Sequence, residues 1–187
     1  KGNAEIAFAV RHSQHRPAAG WVEHNPAELL ANVNACIEAA GKVDALAIAN
    51  QGESCLAWDA ITREALSPVI VWQDSRTATT TVRMRAEGCE AATLERAGLP
   101  LDPYFSASKL GWLIEHNDEV RHALNQGRLR IGTTDAYFLD RLTGNFATDA
   151  TTASRTSLMN LERGEWDQEL CRMCGLPAEC LPEIKAT

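Results

Sequence analysis

The sequence predicts an α/β fold, with helices packed on the faces of a central sheet. Apolar runs of strand length occur at residues 43–50, 54–58 and 69–77, separated by turn residues and closed by polar clusters. A segment with helical apolar spacing precedes the first of these runs. Strand, helix and strand in succession form the crossover unit of a layered α/β domain. A chain of 187 residues can bury one sizeable core, although length alone does not decide between one domain and two small ones.

The chain begins with a strand pattern. In residues 4–11, Ile6, Phe8 and Val10 alternate with small or charged residues, which predicts a strand with one buried face. Because the pattern starts almost at the first residue, we expect that sequence belonging to the same sheet has been lost upstream.

The first predicted helix begins after Asn25. An asparagine is a good N-cap, and Pro26 at the first helical position sacrifices no hydrogen bond. The helix is expected to end near Gly41. Its predicted buried face consists of Leu29, Leu30, Val33 and Ile37.

Further helices are predicted after the third apolar run. The first is capped by Asp74 or Ser75 and runs to about Glu87, and the second covers residues 89–97. Ser106 is expected to cap the third helix, and Asn117 with Asp118 to start the fourth. The fifth is capped by Thr133 or Thr134 and ends at Gly144. Residues 101–105 cannot be regular, because Pro103 disfavours helix at Asp102. A short strand is expected at residues 128–132. Residues 148–187 are expected to be irregular, apart from a short helix opened by Trp166 and Asp167.

Composition excludes several functional classes. The net charge of −7 argues against a general nucleic-acid binder, which needs clustered Lys and Arg. No apolar stretch approaches the roughly 20 residues that span a bilayer, and the first residues do not have the order of a secretory signal. A cytoplasmic protein without a membrane or nucleic-acid partner is the expectation.

Three of the six cysteines lie close together, at Cys171, Cys174 and Cys180. A structural zinc site normally has four ligands, and neither a second cysteine pair nor a nearby histidine completes this one. Core packing is the favoured interpretation, since free cysteine is often buried. A zinc-stabilised interaction domain is the alternative, and we predict no metal site.

Polar and aromatic side chains near the ends of the predicted strands form the candidate site. Glu53 can accept hydrogen bonds from hydroxyl groups, Trp72 can cover a carbon chain, and Tyr104 can reach in from its loop. Alternatively, Glu53 is a turn residue and Trp72 a core aromatic. Three accessory candidates are Gln51, Asp74 and Arg76, although an aspartate in the position of Asp74 more often caps a helix than acts as a base.

Motifs for phosphate binding and nucleophilic catalysis are missing from the sequence. It contains neither a G-x-x-x-x-G-K-[ST] nor a G-x-G-x-x-G loop, and no Ser, His and Asp set is evident. Composition and spacing alone therefore describe a soluble α/β domain that binds a polar ligand.

Six segments, taken in order, resemble the amino-terminal domain of the FGGY carbohydrate kinases, and within that family they are most similar to glycerol kinases. The resemblance extends over nearly all of residues 1–187, which we interpret as one such domain. The segments are residues 20–26, Asn50 and Gln51 with Glu53, residues 70–77, residues 102–109, residues 132–135 and residues 148–156.

The resemblance implies a ribonuclease-H-like fold of the actin and hexokinase type. It would be present in part, without the first strand or strands and without the second ATPase domain. The implied reaction is Mg²⁺-dependent transfer of the ATP γ-phosphoryl group to a terminal hydroxyl of a polyol or sugar. Glu53, Trp72 and Tyr104 match positions that line the polyol pocket.

By the same resemblance, the catalytic Asp and most of the adenosine site lie outside this sequence. We therefore expect no catalytic residue, no tightly bound cofactor and no turnover by these 187 residues alone. The implied partners are a small polyol or sugar and the second kinase domain, and homo-oligomerisation is left open. A noncatalytic carbohydrate-binding or regulatory module on the same fold is the alternative.

Gly52 departs from the family pattern. Glycerol kinases usually carry Arg immediately before the pocket Glu, whereas Gly52 precedes Glu53 here. Loss of a guanidinium removes hydrogen-bond donors and a charge that would pair with Glu53, and it opens space. A larger polyol or sugar is therefore a candidate acceptor as well as glycerol, and the sequence does not decide between them.

Overall fold

The computed structural model describes residues 6–186. A four-stranded antiparallel sheet with the strand order β1-β3-β2-β4 lies at its centre. The four strands are β1 (Glu23–His24), β2 (Cys55–Asp59), β3 (Val69–Ile70) and β4 (Leu129–Thr133). Its larger helices are α1 (Pro26–Ala40), α2 (Ala78–Ala86), α3 (Glu90–Ala97), α4 (Ser106–His116), α5 (Asp118–Asn125) and α6 (Thr134–Thr143).

The remaining elements are short and lie in the last forty or so residues. β5 (Ala147–Asp149) pairs in parallel with β8 (Glu183–Lys185), and β6 (Met159–Asn160) forms a small antiparallel hairpin with β7 (Glu165–Trp166). The helices here are α7 (Ala150–Ser154) and α8 (Gln168–Met173), followed by a 3-10 turn at Ala178–Cys180. Residues 148–186 thus contain more regular structure than the sequence predicts.

Strand β2 separates two hydrophobic clusters. Cys55 and Ala57 face a cluster that includes residues of α4, α5 and α8, whereas Leu56 and Trp58 face a second cluster with residues of α6. Leu29, Leu30 and Val33 of α1 pack against the second cluster. Successive strand residues point to opposite faces, and both faces of β2 are covered by helices. The predicted α/β layering is therefore present around β2.

Several predicted helix boundaries are confirmed. The side chain of Asn25 accepts hydrogen bonds from the Ala27 and Glu28 amides, so it caps α1, and Pro26 is the first helical residue. Asn117 caps α5 in the same way. Gly144 ends α6 at a φ of 81°, a left-handed conformation that glycine adopts without a steric penalty.

Two predicted strands are wrong. Residues 43–50 have no strand structure and are mostly exposed, and the same is true of residues 6–10; Ala4 and Glu5 lie outside the described residues. A strand needs a neighbour to pair its backbone N–H and C=O groups, and no strand of residues 6–186 pairs with either segment. Residues 43–50 instead line an open cavity of about 450 Å³ together with Val10, α1 and Phe138. The predicted crossover from α1 into this segment is therefore not formed.

Two predicted caps are also wrong. Helix α2 begins at Ala78, and its N-cap residue Thr77 makes no side-chain capping bond. Ser75 contributes only its backbone carbonyl, which accepts from the Ala78 amide at 3.0 Å, while the side chains of Asp74 and Ser75 bond elsewhere. Ser106 is the first residue of α4 and does not cap it. Both Asp74 and Ser106 use their side chains in long-range contacts described below.

The three C-terminal cysteines pack with apolar residues. Cys171 and Cys180 belong to the main hydrophobic cluster, and Cys174 packs against it. Burial raises the pKa of Cys171 and Cys180 to about 11 and that of Cys174 to about 12, which disfavours the thiolate form that binds metals. Across residues 6–186, no three potential metal ligands come together.

Of the helices in residues 6–186, none combines the length and the apolar character needed to cross a bilayer.

Candidate functional site

The turn before β2 holds Glu53 in a buried position. The Ser54 amide donates to the Gln51 carbonyl at 3.0 Å, and the Ser54 hydroxyl donates to the Gln51 side-chain oxygen at 2.9 Å. The Trp72 amide in turn donates to the Ser54 hydroxyl at 3.2 Å. Gln51 therefore shapes the turn, and the turn is linked to the segment that carries Trp72.

Both the backbone and the side chain of Glu53 have partners. The Ser106 hydroxyl donates to the Glu53 carbonyl at 3.0 Å, which fixes the turn against the start of α4. Arg155 Nε donates to Glu53 Oε1 at 2.9 Å. The carboxylate is therefore held by a guanidinium from a distant part of the chain.

Trp72 and Tyr104 form an aromatic wall. Their ring centroids are 5.4 Å apart in an edge-to-face arrangement, and Tyr104 makes a similar contact with Phe105 at 5.3 Å. Trp72 and Tyr104 are both half-buried. The irregular loop predicted at residues 101–105 is present, and Asp102 stabilises it by accepting from the Tyr104 amide at 2.8 Å.

Lys109 connects the two loops that carry Trp72 and Tyr104. Its side chain is fully buried, and Nζ donates to the carbonyls of Tyr104 at 2.7 Å and Trp72 at 3.4 Å. Burial lowers the pKa of the Lys109 ammonium, and the negative charges of groups such as Asp74 and Glu53 oppose this shift. A single buried cation thus positions the backbone of both aromatic residues.

Arg155 brings the C-terminal third of the chain to the site. It follows α7, and its guanidinium carbon lies 5.3 Å from the Phe105 ring centroid while Nε bonds Glu53. The adjacent Thr156 carbonyl accepts from the Ala107 amide at 2.9 Å, which anchors this segment to α4. Gly52 lies next to the aliphatic part of Arg155, since a Cβ at residue 52 would be 3.8 Å from the Arg155 Cβ and Cγ.

Asp74 and Arg76 form a separate cluster. The Asp74 carboxylate accepts from the Val22 amide at 2.6 Å and from Arg76 Nε and Nη2 at 2.9 and 2.8 Å. Arg76 Nη2 also donates to Glu23 at 2.6 Å, and its guanidinium carbon lies 3.8 Å and 4.7 Å from the ring centroids of Trp21 and Trp112. The contacts of this pair tie β1 to the segment after β3, and no described hydrogen bond of either side chain reaches Glu53, Trp72 or Tyr104.

A polar network extends from the other side of the turn. Asn50 Nδ2 donates to the Thr134 hydroxyl at 3.1 Å and to Asp135 at 3.2 Å, and the Thr148 hydroxyl donates to Asp135 at 2.6 Å. These contacts join the residue before the turn to the start of α6 and to β5. The turn is thereby braced on both sides.

The structure brings Glu53, Gly52, Trp72 and Tyr104 into one connected region, as the sequence predicts for a site. It also adds Lys109 and Arg155, which the sequence reasoning did not select. Lys109 precedes Leu113 by one helical turn and therefore lies in the apolar stripe of α4, a signal that could have identified it. Arg155 is 102 residues from Glu53, and no local pattern predicts that contact.

The chemistry of this region suits a hydroxylated ligand. A carboxylate accepts hydrogen bonds, a guanidinium donates them, and aromatic faces cover C–H surface. Hydroxyl groups can satisfy both partners, since each can donate and accept.

The chain is similar in sequence to known proteins. Residues 3–187 match the model of the FGGY family of carbohydrate kinases, N-terminal domain. Glycerol kinase of Rhodopseudomonas palustris (strain BisA53) is 45% identical over an alignment of 183 residues, and the alignment covers 92% of this chain and 37% of that protein. The chain thus spans a little over a third of the length of the curated relatives it matches.

Solved structures give the same result. The crystal structure of Plasmodium falciparum glycerol kinase with ADP matches with a TM-score of 0.86 and 31% identity, over 94% of this chain and 37% of that one. A ligand-bound xylulose kinase from Lactobacillus acidophilus matches with a TM-score of 0.79 and 25% identity, over 93% and 36% of the two chains. These matches confirm the predicted actin- and hexokinase-type fold, present in part. The chain belongs to the FGGY family of carbohydrate kinases, in the region of their N-terminal domain.

Proposed function

We propose that the chain forms the acceptor-substrate wall of an ATP-dependent kinase that phosphorylates a terminal hydroxyl of a polyol or sugar. The observation that carries the proposal is the buried carboxylate of Glu53, held by Arg155 beside the paired rings of Trp72 and Tyr104. The matched relatives are named as glycerol and xylulose kinases, which act on hydroxylated small molecules. Both observations support an acceptor of that class.

Each candidate residue has a distinct role in this proposal. Glu53 accepts a hydrogen bond from an acceptor hydroxyl and orients it, while Trp72 and Tyr104 cover the carbon chain. Gly52 leaves the turn without a side chain, so the pocket takes a polyol or sugar longer than glycerol. Gln51 supports the turn through Ser54.

Residues 6–186 do not by themselves supply a cluster of metal ligands or a known phosphate-binding loop. No three potential metal ligands converge within residues 6–186, and the sequence has no glycine-rich phosphate loop. We therefore propose that the whole enzyme binds ATP and Mg²⁺ mainly through a second domain. The acceptor would be enclosed when that domain closes on the wall described here.

We also propose the binding partners and the cellular location of the enzyme. The partners are a small polyol or sugar and the second kinase domain, with neither nucleic acid nor membrane, and the oligomeric state is open. We propose a cytoplasmic location, since the reaction consumes ATP.

Initial rates measured on the full-length protein test the proposed function. A panel of glycerol, erythritol, ribitol, xylulose and gluconate is incubated with ATP and Mg²⁺, and ADP release is coupled to NADH oxidation. We expect acceptor-dependent ADP release with at least one member of the panel. Acceptor binding without turnover would instead identify a noncatalytic module.

The isolated chain provides a second test. Because the proposal places the catalytic Asp and most of the nucleotide site elsewhere, we expect no ADP release from the purified 187-residue chain under the same conditions. Turnover by that chain would contradict the proposed division of roles.

A further inference from the structure

Within residues 6–186, only the Nε edge of the Arg155 guanidinium makes a hydrogen bond. Nε donates to Glu53, whereas neither Nη group has a hydrogen-bond partner among residues 6–186. The side chain is 43% exposed, while that of Glu53 is only 9% exposed. Arg155 is therefore partly exposed and has N–H donors on two Nη groups that no described residue uses.

The position of these donors is fixed before a ligand arrives. The ion pair with Glu53 and the contact with the Phe105 ring restrain the planar guanidinium from two directions. The Thr156 carbonyl bond to Ala107 restrains the backbone next to it. A donor group that is already ordered loses little conformational entropy when it binds a ligand.

Gly52 leaves the stem of Arg155 uncovered. A Cβ at residue 52 would meet the Arg155 Cβ and Cγ at 3.8 Å, which is ordinary van der Waals contact. A longer side chain would have to run along that stem or displace the guanidinium. Because residue 52 has no side chain, nothing at that position runs along the Arg155 stem or displaces its guanidinium.

Resting on the proposed function, we infer that Arg155 binds the acceptor and determines its size. Its Nη groups donate to one hydroxyl, the neighbouring hydroxyl donates to Glu53, and the space above Gly52 holds the additional carbons of a polyol longer than glycerol. A carboxylate that only accepts and a guanidinium that only donates are complementary to two adjacent hydroxyl groups. Arg155 thus supplies a guanidinium to this turn although residue 52 carries none.

The test uses the full-length protein and two independent readouts. Binding of glycerol, erythritol and xylitol is measured by calorimetry, and acceptor and ATP KM values are measured from initial rates. For Arg155→Met we expect acceptor Kd and KM to rise at least about tenfold with an unchanged KM for ATP. Arg172→Met, an exposed arginine of α8, is the matched control and should leave all three constants unchanged.

Arg155→Lys separates binding from structural support. An ammonium can still pair with Glu53 and preserve Tm, but it lacks the fork that reaches a hydroxyl at the same time. For Arg155→Lys we expect a Tm close to the wild-type value, whereas the acceptor Kd should stay as high as in Arg155→Met. If lysine restored both Tm and acceptor Kd to the wild-type values, the assignment of Arg155 as an acceptor-binding residue would be overturned.

Gly52→Arg tests the size argument. We expect the ratio of kcat/KM for glycerol to that for xylitol to rise at least about tenfold, because the added side chain fills the space above the turn. An unchanged ratio would overturn the role of Gly52. If the wild type binds polyols without turnover, the proposed catalysis is refuted, and the Kd values still decide whether Arg155 binds the acceptor. A wild type that binds none of these polyols refutes both the proposed function and the role of Arg155.

Discussion

The ammonium of Lys109 and the backbone carbonyl of Tyr104 form a 2.7 Å hydrogen bond in the buried base of the candidate site. The same ammonium lies 3.4 Å from the Trp72 carbonyl, so one donor connects the two loops that carry the aromatic wall. Under the proposed function, Lys109 is therefore a positioning residue that acts on the acceptor through Trp72 and Tyr104.

Replacing Lys109 by Met removes this connection while keeping an apolar side chain of similar length. We expect the acceptor KM of the full-length enzyme to rise about tenfold, which corresponds to about 1.4 kcal/mol, with the KM for ATP unchanged. Initial rates at saturating ATP measure the effect. Lys185→Met, at an exposed lysine of β8, is the control; equal KM values for the two variants would show that the Lys109 bonds do not position the wall.

Glu53→Gln keeps the shape of the side chain but removes its charge. A hydrogen bond to a charged group contributes about 1.5–3 kcal/mol, so we expect acceptor affinity to fall by roughly one to two orders of magnitude. Calorimetric titration with the preferred acceptor measures this loss. Glu38→Gln, on the exposed side of α1, serves as the comparison, and an unaltered affinity in Glu53→Gln would place the acceptor elsewhere.

Arg76→Met leaves two carboxylates without their partner. The Arg76 side chain is 2% exposed and pairs with Asp74 and Glu23, so we expect a loss of about 3–5 kcal/mol in the free energy of unfolding. Urea unfolding of the full-length protein provides the measurement. Arg83→Met breaks only an exposed pair with Glu87 and should cost less than about 1 kcal/mol. Similar losses in the two variants would argue against a structural role for the Asp74 cluster.

Asp167 gives the fold a defined acid sensitivity. Burial acts to raise its pKa, but hydrogen bonds from Asn160, Leu170 and Arg96 prevail and lower it to about 2. Because the folded-state pKa is below the ordinary value of 3.8, the group stabilises the protein by roughly 2 kcal/mol at neutral pH. This contribution is fully present above about pH 5 and is lost as the pH falls toward 2.

Asp167→Asn tests that contribution through the pH dependence of unfolding. We expect the wild type to exceed the variant by roughly 2 kcal/mol at pH 7 and the difference to shrink progressively below about pH 5. Asp118→Asn, at a carboxylate that is 92% exposed, should not change the slope. A difference between wild type and Asp167→Asn that is constant with pH would rule out the proposed origin of the stability.

The sequence was sufficient to predict those features that depend on local chemistry. Asn25 and Asn117 cap helices because their side chains reach amides two or three residues away, and Gly144 ends a helix through its own backbone freedom. Glu53 and Trp72 could be selected because they adjoin apolar strand runs. Each of these inferences needs only neighbouring residues.

Features that depend on distant partners were missed or predicted wrongly. Residues 43–50 have the composition of a buried strand, yet a strand requires a paired neighbour, and residues 6–186 supply none. Ser106 is a good capping residue, but its hydroxyl donates to Glu53 instead. The bond between Arg155 and Glu53 spans 102 residues and follows from the three-dimensional packing alone.

The unpaired apolar segments affect how this chain behaves in solution. Phe8, Val43 and Leu46 are 45%, 50% and 56% exposed, and the backbone beside them lacks strand partners in the described structure. Segments with strand-forming composition and open hydrogen-bonding groups are templates for intermolecular β-pairing. Concentrated preparations of these 187 residues are therefore expected to aggregate through these two segments.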